Sequence, residues 1–452
     1  MQQAISNGGI KTFVFGAVVG PMLLMIALFT ECAGRLGPLQ LGALLVCIGA
    51  AHQSGLLPGE NGVFVSGAAT GLLCAATPMY QGEIAHPERR GAMVTTYQLA
   101  IGFGILLNGW LQAGVHPSQT SVALVLLGLG GLLSLGAFFV LPDSYRWQVA
   151  RRRYQDAMAL ARYTCSDSQD VRCEIAACYK ELRRTWQTGK PNWMEFLSGI
   201  YLKALAIGIV LQLMQQLCGF VFFLLHGPAV LSSFVQIPSE RASMTIWLGL
   251  ANLMGTVPAI FLVDRVGRKR LLSVSTATMI VCCVILAIAG GCIEVHDVFT
   301  VDAAECDKTS RDLMTGTIFV LAFAHGCGCG PITWIYCAEI FALKYKSRAS
   351  GFVTSAHWVG FYIVERACDL MLVKLGFHMF WIFALFNVLG LMASLMLPET
   401  GRKTLEEIQL IFDPFLKNGE ITKETSREMM VFCGQDDDSD DDASLPLQPT
   451  KS

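Results

Sequence analysis

The chain has 452 residues, of which 53% are hydrophobic and only 15% are charged, and its mean hydropathy is +0.50. A soluble domain is nearer a quarter charged, so this composition indicates an all-α membrane protein with the lipid bilayer as its partner. The net charge of −2 excludes a nucleic-acid-binding protein that relies on a broad basic surface.

Apolar runs long enough to cross a bilayer recur along the chain, since about twenty helical residues cover about 30 Å of hydrocarbon. About eleven spans are predicted, near residues 12–30, 39–57, 62–80, 92–113, 120–141, 200–225, 243–263, 271–292, 313–337, 349–369 and 376–397. They divide the chain into an N-terminal bundle (1–141), a polar and partly helical central loop (142–199), a C-terminal bundle (200–397) and a tail (398–452). The acidic end of the tail is predicted to be disordered.

The basic residues are concentrated in alternate loops. The rich set includes Arg89 and Arg90, the 151–153 arginine cluster, the 265–270 segment and the 344–348 segment. Because positive loops stay in the cytoplasm, the central loop and the tail are predicted to be cytoplasmic. The protein is expected in the plasma membrane.

The sixth span carries three glutamines, Gln212, Gln215 and Gln216, at positions i, i+3 and i+4. This spacing puts the three amides on one helical face. An amide facing lipid would lack hydrogen-bond partners, so the face is predicted to point into the bundle or into a wet cavity. Two interpretations remain open from spacing alone: the amides join helices to each other, or they bind a neutral polar ligand.

The two halves of the chain repeat each other, as they do in many secondary transporters. The sequence YQGEI at 80–84 returns as YCAEI at 336–340, and PDSYR at 142–146 returns as PETGR at 398–402. The tyrosine and the proline are separated by the same interval in both copies. Acidic and basic residues therefore recur at equivalent cytoplasmic helix ends.

A third repeated motif reveals a difference between the halves. ECAGR at 31–35 corresponds to DRVGR at 264–268, and two spans precede the second copy, but the residues before the first copy suffice for one. The repeat therefore predicts that the chain lacks a first helix equivalent to the 200–225 span. With eleven spans, the N-terminus is expected outside the cell and the C-terminus inside.

As a set, these motifs resemble those of the sugar porter family of the major facilitator superfamily, which includes the facilitative glucose transporters. The specific pieces are the glutamine-rich span, DRVGRK at 264–269, PETGRKTLEEI at 398–408 and PDSYRW at 142–147. The resemblance covers residues from about 15 to 412. It implies the major facilitator fold of two pseudo-symmetric helical bundles, and transport of a hexose or related polyol by alternating access. It implies no cofactor and no enzymatic activity, and leaves open whether a proton is co-transported.

The family's sugar-contacting positions fall on seven residues of this chain: Gln98, Gln212, Gln215, Gln216, Asn252, Trp334 and Trp358. Amides donate and accept hydrogen bonds at once, as sugar hydroxyls do, and an indole offers an apolar face with one N–H donor. Gly328, Gly330 and Pro331, beside Trp334, are expected to break that helix where it lines the cavity.

The chain also departs from the family pattern. The asparagine two positions past the glycine of the glutamine-rich span is Val221 here, and a tyrosine pair is replaced by Leu225 and His226. With the absent first helix, these departures favour an alternative, a transporter-like sensor or a truncated inactive paralogue, whereas the intact glutamines and tryptophans favour transport. No Ser/His/Asp or Cys/His set supports an enzyme, and Cys327 and Cys329 lack partners for a metal site.

The resemblance further implies ion pairs that close the cytoplasmic side. The matching residues are Glu83, Arg90, Arg146, Asp264, Arg268, Glu339 and Lys346. The alternative is that the basic residues only follow the positive-inside rule, which leaves the recurring acidic residues unexplained.

Two features are predicted for the outer side. Glu365, Arg366 and Asp369 lie at the end of an apolar run. Arg366 can pair with Asp369, three residues later on a helix, so anchoring of the helix end is expected rather than proton coupling. Cys292 and Cys306 flank a polar stretch near 293–312, where a disulfide between them could persist.

Overall fold

The computed structural model describes most of the chain, in the ranges 7–22, 34–58, 61–114, 119–163, 171, 174–179, 181–182, 192–234, 243–297, 300–303 and 306–412. Within these ranges the chain is helical apart from one short β-hairpin. The expectations for residues 31–33 of the third motif, and for disorder in the acidic tail, lie outside the described residues.

Five helices form the N-terminal bundle: α1 (Asn7–Met22), α2 (Leu36–Gln53), α3 (Gly62–Ile84), α4 (Arg90–Gly114) and α5 (Gln119–Phe139). They correspond to the first five predicted spans. α1 and α3 pack with their backbones in contact, since a Cβ on Gly71 would lie 2.1 Å from the carbonyl oxygen of Ala17. Small residues at such crossings are typical of helices packed within a membrane.

The described part of the central loop includes the short helices α6 (Tyr145–Ala150), α7 (Tyr154–Ala161) and α8 (Trp193–Phe196) and a helical segment at 174–179. The Ser144 hydroxyl caps α6 by accepting the Trp147 N–H. Tyr145 and Val149 pack against α7 in a small apolar cluster that is separate from the core of the C-terminal bundle. The predicted helical character of this loop is confirmed for its described part.

The C-terminal bundle contains α9 (Gly199–Gln216), α10 (Phe220–Phe234), α11 (Ser243–Val266), α12 (Arg268–Ala289), α13 (Lys308–Ala324), α14 (Gly330–Glu339), α15 (Lys346–Leu375) and α16 (Phe380–Met396). A last helix, α17 (Leu405–Phe412), follows on the cytoplasmic side. At the outer end, β1 (Glu294–Asp297) pairs antiparallel with β2 (Thr300–Asp302).

Two spans of this bundle are interrupted. The span predicted as one helix over 200–225 ends at Gln216, restarts at Phe220 and continues to Phe234, because Gly219 has a φ of +91° that a right-handed helix cannot contain. α13 continues into α14 through a π-helical segment, His325–Cys329. The break expected beside Trp334 is therefore a π-turn, a feature that often marks functional sites.

Eight stretches of the described chain have the length and hydropathy of membrane spans, and one of them, Lys346–Met396, contains both α15 and α16. Counting α9–α10 and α13–α14 as one span each, the described helices match the eleven predicted spans. Five lie in the first bundle and six in the second. Among the residues that the structure describes, α9–α10 has no counterpart in the first bundle.

The duplicated motifs make duplicated contacts at the predicted cytoplasmic end. The Tyr80 hydroxyl donates to the Pro142 carbonyl at 2.6 Å, and the Tyr336 hydroxyl donates to the Pro398 carbonyl at 2.8 Å, each across 62 residues. These two hydrogen bonds explain why the interval between tyrosine and proline is the same in both halves.

An acidic residue after each proline binds backbone amides of its own bundle. Asp143 accepts the Arg35 N–H at 3.1 Å, and Glu399 accepts the Arg268 and Lys269 N–H groups at 3.0 and 3.1 Å. Gly34, which precedes Arg35, has a φ of +70°, and Gly267, which precedes Arg268, has a φ of +97°. Only glycine adopts this conformation without strain.

We predict that Gly267→Ala lowers the melting temperature of the purified protein by several degrees. The added Cβ would lie 2.6 Å from Glu399 Oε2 and the backbone would be strained, at a cost of about 1–3 kcal/mol. Gly316→Ala is the matched control, because nothing lies within 4 Å of the added Cβ in α13. Equal melting temperatures for the two variants would refute this account of the motif.

The outer cysteines form the expected bridge. Cys292 and Cys306 are joined by a disulfide, with 5.3 Å between their Cα atoms. The bridge closes the loop that holds the β-hairpin, so it links the end of α12 to the start of α13.

We predict that a membrane-impermeant maleimide labels neither Cys292 nor Cys306 on intact cells until a reductant is added. In the control variant Cys306→Ser, Cys292 should become reactive without reductant. Labelling of both cysteines in the unreduced native protein would exclude the bridge.

Candidate functional site

A histidine lies at the centre of four of the seven predicted site residues. His357 of α15 has its Nδ1 2.8 Å from Gln212 Oε1 and its Nε2 2.9 Å from Gln216 Nε2. Gln216 Nε2 is also 2.9 Å from Nδ1. Because a carboxamide oxygen can only accept, the tautomer with its proton on Nδ1 donates to Gln212 and accepts from the Gln216 amide through Nε2. Trp334 and Trp358 flank the imidazole, with ring centroids 4.9 and 5.5 Å away.

A glycine brings together two other predicted residues, one from each bundle. Gln215 Nε2 donates to the Gly330 carbonyl at 2.8 Å. A Cβ on Gly330 would lie 3.0 Å from the Gln98 amide carbon, so only a residue without a side chain lets α4 approach α14 here. Tyr97 of α4 reaches the same place, with its ring 5.3 Å from Trp334.

The seventh predicted residue lies on α11 beside the π-turn. Asn252 Nδ2 is 3.1 Å from both the Ala322 carbonyl oxygen and His325 Nδ1. The His325 ring stacks on Phe220, the first residue of α10, at 4.2 Å. Asn252 is thus connected to the break in α9–α10 rather than to His357.

Several buried polar atoms of this site have no strong hydrogen-bond partner. The acceptor oxygens Gln215 Oε1, Gln216 Oε1 and Asn252 Oδ1 are unpaired. The Tyr97 hydroxyl and the Trp358 N–H face only the sulfur of Cys74, a weak acceptor. A buried polar atom without a partner costs about 1–3 kcal/mol, so a ligand that pairs with these atoms would be bound favourably.

Some atoms of the three glutamines therefore join helices, and others are available to bind a ligand. Gln212 is fully engaged between helices, because its oxygen contacts His357 and its Nε2 donates to the Cys337 sulfur at 3.6 Å. Gln215 and Gln216 use their N–H groups to join helices and keep their oxygens unpaired.

The sequence analysis missed His357, His325 and Tyr97. His357 precedes the predicted Trp358, and Tyr97 precedes the predicted Gln98, so adjacency to a site residue was the only available signal. Adjacent residues point about 100° apart on a helix, and which of them faces the other bundle depends on how the helices are rotated.

The predicted gate residues lie at the cytoplasmic end, and four of them form buried ion pairs within their own bundle. Glu83 pairs with Arg35 at 3.0 Å in the first bundle. Arg268 pairs with Asp264 at 2.8 Å and with Glu339 at 3.0 Å in the second. The Glu83–Arg35 and Glu339–Arg268 pairs occupy equivalent positions in the repeat.

Other contacts cross between the bundles at this end. Asp264 accepts the N–H groups of Gly91 and Ala92, at 3.1 and 2.7 Å, at the start of α4. A carboxylate at a helix N-terminus is stabilised by the helix dipole. Arg35 also donates to the Ser347 hydroxyl of α15. These contacts join the two bundles at the predicted cytoplasmic end.

A third crossing contact involves the helices that follow each bundle. Arg146 of α6 contacts Glu406 of α17 and lies 2.8 Å from Glu174 of the central loop. Burial alone would lower the pKa of Arg146, but Glu406, Tyr145 and Glu174 together outweigh burial and raise that pKa above its usual range. Arg146 therefore stays charged while the contact is closed.

Among the described residues, Arg90 and Lys346 form no close ion pair with a carboxylate. Arg90 Nη1 donates to the Lys403 carbonyl at 2.9 Å instead of to a carboxylate. Lys346 is 1% exposed and its Nζ has no hydrogen-bond partner. The carboxylates nearby, Glu83 and Glu339, are already engaged by Arg35 and Arg268, which have a guanidinium fork that a lysine lacks.

Comparison with known proteins points to one family. The model of the family described as "Sugar (and other) transporter" matches residues 5–412. The galactose-proton symporter of Escherichia coli (strain K12) is 31% identical over 413 residues, which cover 88% of this chain and 84% of the symporter. The high-affinity hexose transporter ght4 of Schizosaccharomyces pombe is 24% identical over 433 residues, covering 92% of this chain and 75% of that protein.

A similar fold is found among solved structures. The major facilitator superfamily proton:xylose symporter XylE bound to 6-bromo-6-deoxy-D-glucose matches with a TM-score of 0.75 and 21% sequence identity. The match covers 89% of this chain and 88% of that chain. At 21% identity, the match shows that the two proteins share a fold.

We predict that Asp264→Asn shifts the protein towards a state open to the cytoplasm by about two- to tenfold, since an anion at a helix N-terminus contributes about 0.3–1 kcal/mol or somewhat more. Cys337, a buried free thiol below the site, is the reporter. Its labelling rate in inside-out vesicles should rise, as measured by mass spectrometry of its peptide.

Glu399→Gln is the matched control, because Glu399 binds backbone amides within one bundle. It should lower stability without changing the labelling rate of Cys337. Equal labelling rates in both variants would contradict the assignment of Asp264 to the gate.

Proposed function

The chain belongs to the sugar (and other) transporter family, and we propose that the polar site between its bundles carries a neutral hexose or related polyol by alternating access. Its fold is the major facilitator fold of two helical bundles. It is a multi-pass membrane protein that transports sugar, and it is not an enzyme. We place it in the plasma membrane.

The unpaired polar atoms of the site carry this proposal. Three acceptor oxygens and two donors, contributed by both bundles, remain without strong partners. A sugar hydroxyl donates one hydrogen bond and accepts others, so one polyol can satisfy acceptors and donors together. The rings of Trp334 and Trp358 supply apolar faces for the C–H groups of a sugar.

The charge of the site supports a neutral ligand. The residues that form it, namely Tyr97, Gln98, Gln212, Gln215, Gln216, Asn252, His325, Trp334, His357 and Trp358, include no Asp, Glu, Lys or Arg. A charged substrate would have to leave water without a counter-charge, which is costly in a membrane interior.

The relatives indicate the class of sugar. One is a galactose-proton symporter and another a hexose transporter, so we propose a hexose as the substrate and a proton as the candidate co-substrate. The cytoplasmic contacts between the bundles provide the gate that alternating access requires, because their separation would open the site inward. Nothing among the described contacts favours the alternative of a non-transporting sensor.

The test uses Gln215→Ala and Trp358→Phe in proteoliposomes with radiolabelled D-galactose and D-glucose. We expect Gln215→Ala to weaken binding roughly 5- to 150-fold, the equivalent of about 1–3 kcal/mol for a lost partner in a dry site. Trp358→Phe removes the N–H donor and part of the ring but keeps an aromatic face, and it should weaken binding by about tenfold or less.

Gln53→Ala, at the outer end of α2, is the control, because that amide contacts Gly62 and Ser66 away from the site. It should leave binding unchanged. If Gln215→Ala binds both sugars as tightly as the native protein at equal amounts of inserted protein, the glutamines only join helices and the proposed site is wrong.

A further inference from the structure

A second polar cluster lies between α10 and α15, towards the outer end. His226 of α10 is 7% exposed, and its Nε2 has no hydrogen-bond partner. The nearest carboxylate oxygen is Asp369 Oδ1 of α15, at 3.6 Å. Asp369 pairs with Arg366 at 3.1 Å, as the sequence predicts, and Arg366 also contacts the buried carboxylate of Glu365. We refer to these four residues as the outer cluster.

The charges of the outer cluster do not cancel. Two carboxylates, Glu365 and Asp369, face a single guanidinium, so the cluster carries one net negative charge when His226 is neutral. An uncompensated charge is costly at membrane depth. One added proton cancels it, and a proton on the imidazole also creates a charge-assisted contact between His226 and Asp369.

The outer cluster joins the same two helical spans as the sugar site. α9–α10 and α15 run side by side, and α15 contacts Gln212 and Gln216 through His357 and His226 through Asp369. Glu365 follows His357 by eight residues and Asp369 follows it by twelve, so the two carboxylates lie about 12 and 18 Å from His357 along the helix, at 1.5 Å per residue. α10 is the half-helix beyond the Gly219 break, so it can move relative to α9.

We propose that the outer cluster is a proton-binding site whose occupancy draws α10 onto α15 and thereby closes the sugar site towards the outside. The proton comes from outer water and is accepted by the lone pair of His226 Nε2 or by a carboxylate oxygen. This inference rests on the proposed function, to which it adds the place where a proton binds. By linkage, a proton that tightens sugar binding is itself bound more tightly when sugar is present.

The other elements around α10 contribute few charges. α11 carries Asp264 and Arg265 at its cytoplasmic end, far along the helix from His226. α13 carries Lys308, Arg311 and Asp312 in its first turns, and β2 ends at Asp302. Strand β1 also packs against α15 and carries Glu294, His296 and Asp297. Among the described residues, the ion pairs of the outer cluster are formed by its own members.

The test measures the Kd for D-galactose, and for D-glucose, of the full-length protein in lipid nanodiscs between pH 4.5 and 8. For the native protein we expect binding to be about tenfold tighter at the acidic end, within the usual range of coupling between two ligands. Asp369→Asn makes the cluster neutral without a proton, so its affinity should be independent of pH. Arg366→Gln leaves two uncompensated charges, so the pH midpoint should move upward.

Lys374→Gln is the matched control, because it removes a positive charge from the last turn of α15 outside the cluster. It should keep the native midpoint. An unchanged pH dependence in Asp369→Asn, or an Arg366→Gln midpoint equal to that of Lys374→Gln, would overturn the proposal. An affinity of the native protein that does not vary with pH would overturn it as well, while the sugar site would stand.

A second measurement does not need sugar. We expect the difference in melting temperature, native protein minus Asp369→Asn, to increase as the pH falls. The folded native cluster gains a proton at low pH, whereas the cluster of the variant is already neutral. If the native protein binds neither sugar at any pH, the proposed function fails, and these melting curves still test the proton site. Parallel curves for the two proteins would exclude it.

Discussion

Buried arginine–glutamate pairs at the cytoplasmic end determine how each bundle is built. Arg35–Glu83 and Arg268–Glu339 are almost fully shielded from water, and removing one partner of such a pair costs about 3–5 kcal/mol. Other repeated residues surround these pairs. In each half, a glycine with a positive φ turns the chain before the arginine, and a tyrosine hydroxyl donates to a proline carbonyl. Because each bundle neutralises its own charges, only a few contacts must break when the bundles separate.

The proposed sugar site depends on places where regular helix is interrupted. The break at Gly219 and the π-turn at His325–Cys329 lie on neighbouring spans. Next to them Gly330 lacks a side chain, and two glutamines from different bundles meet there. The protein uses the amide donors to hold these irregular segments in place and leaves amide oxygens unpaired. The same residues thus provide both rigidity and binding capacity.

The interrupted span α9–α10 connects the proposed sugar site with the outer cluster. Its inner half carries the glutamines of the site, and its outer half carries His226. A continuous helix would transmit any displacement along its whole length, whereas a break allows the outer half to move while the inner half keeps its contacts with His357. The gate contacts at the cytoplasmic end lie on other helices, so the two ends of the molecule can open separately.

Much of this architecture follows from local properties of the chain. Hydropathy, loop charge and the repeated motifs predict the spans and the orientation, because each depends on residue type and spacing. The seven site positions are what the resemblance to the sugar porter family implies. The break at Gly219 and the roles of His357, Tyr97 and Gly330 do not follow, since they depend on the rotation of helices that are distant in sequence. Arg90 and Lys346 show the same limit: their charge is evident from the sequence, but the partners had already been taken by Arg35 and Arg268. Which basic residue pairs with which carboxylate depends on how the bundles pack, so only the tertiary structure decides it.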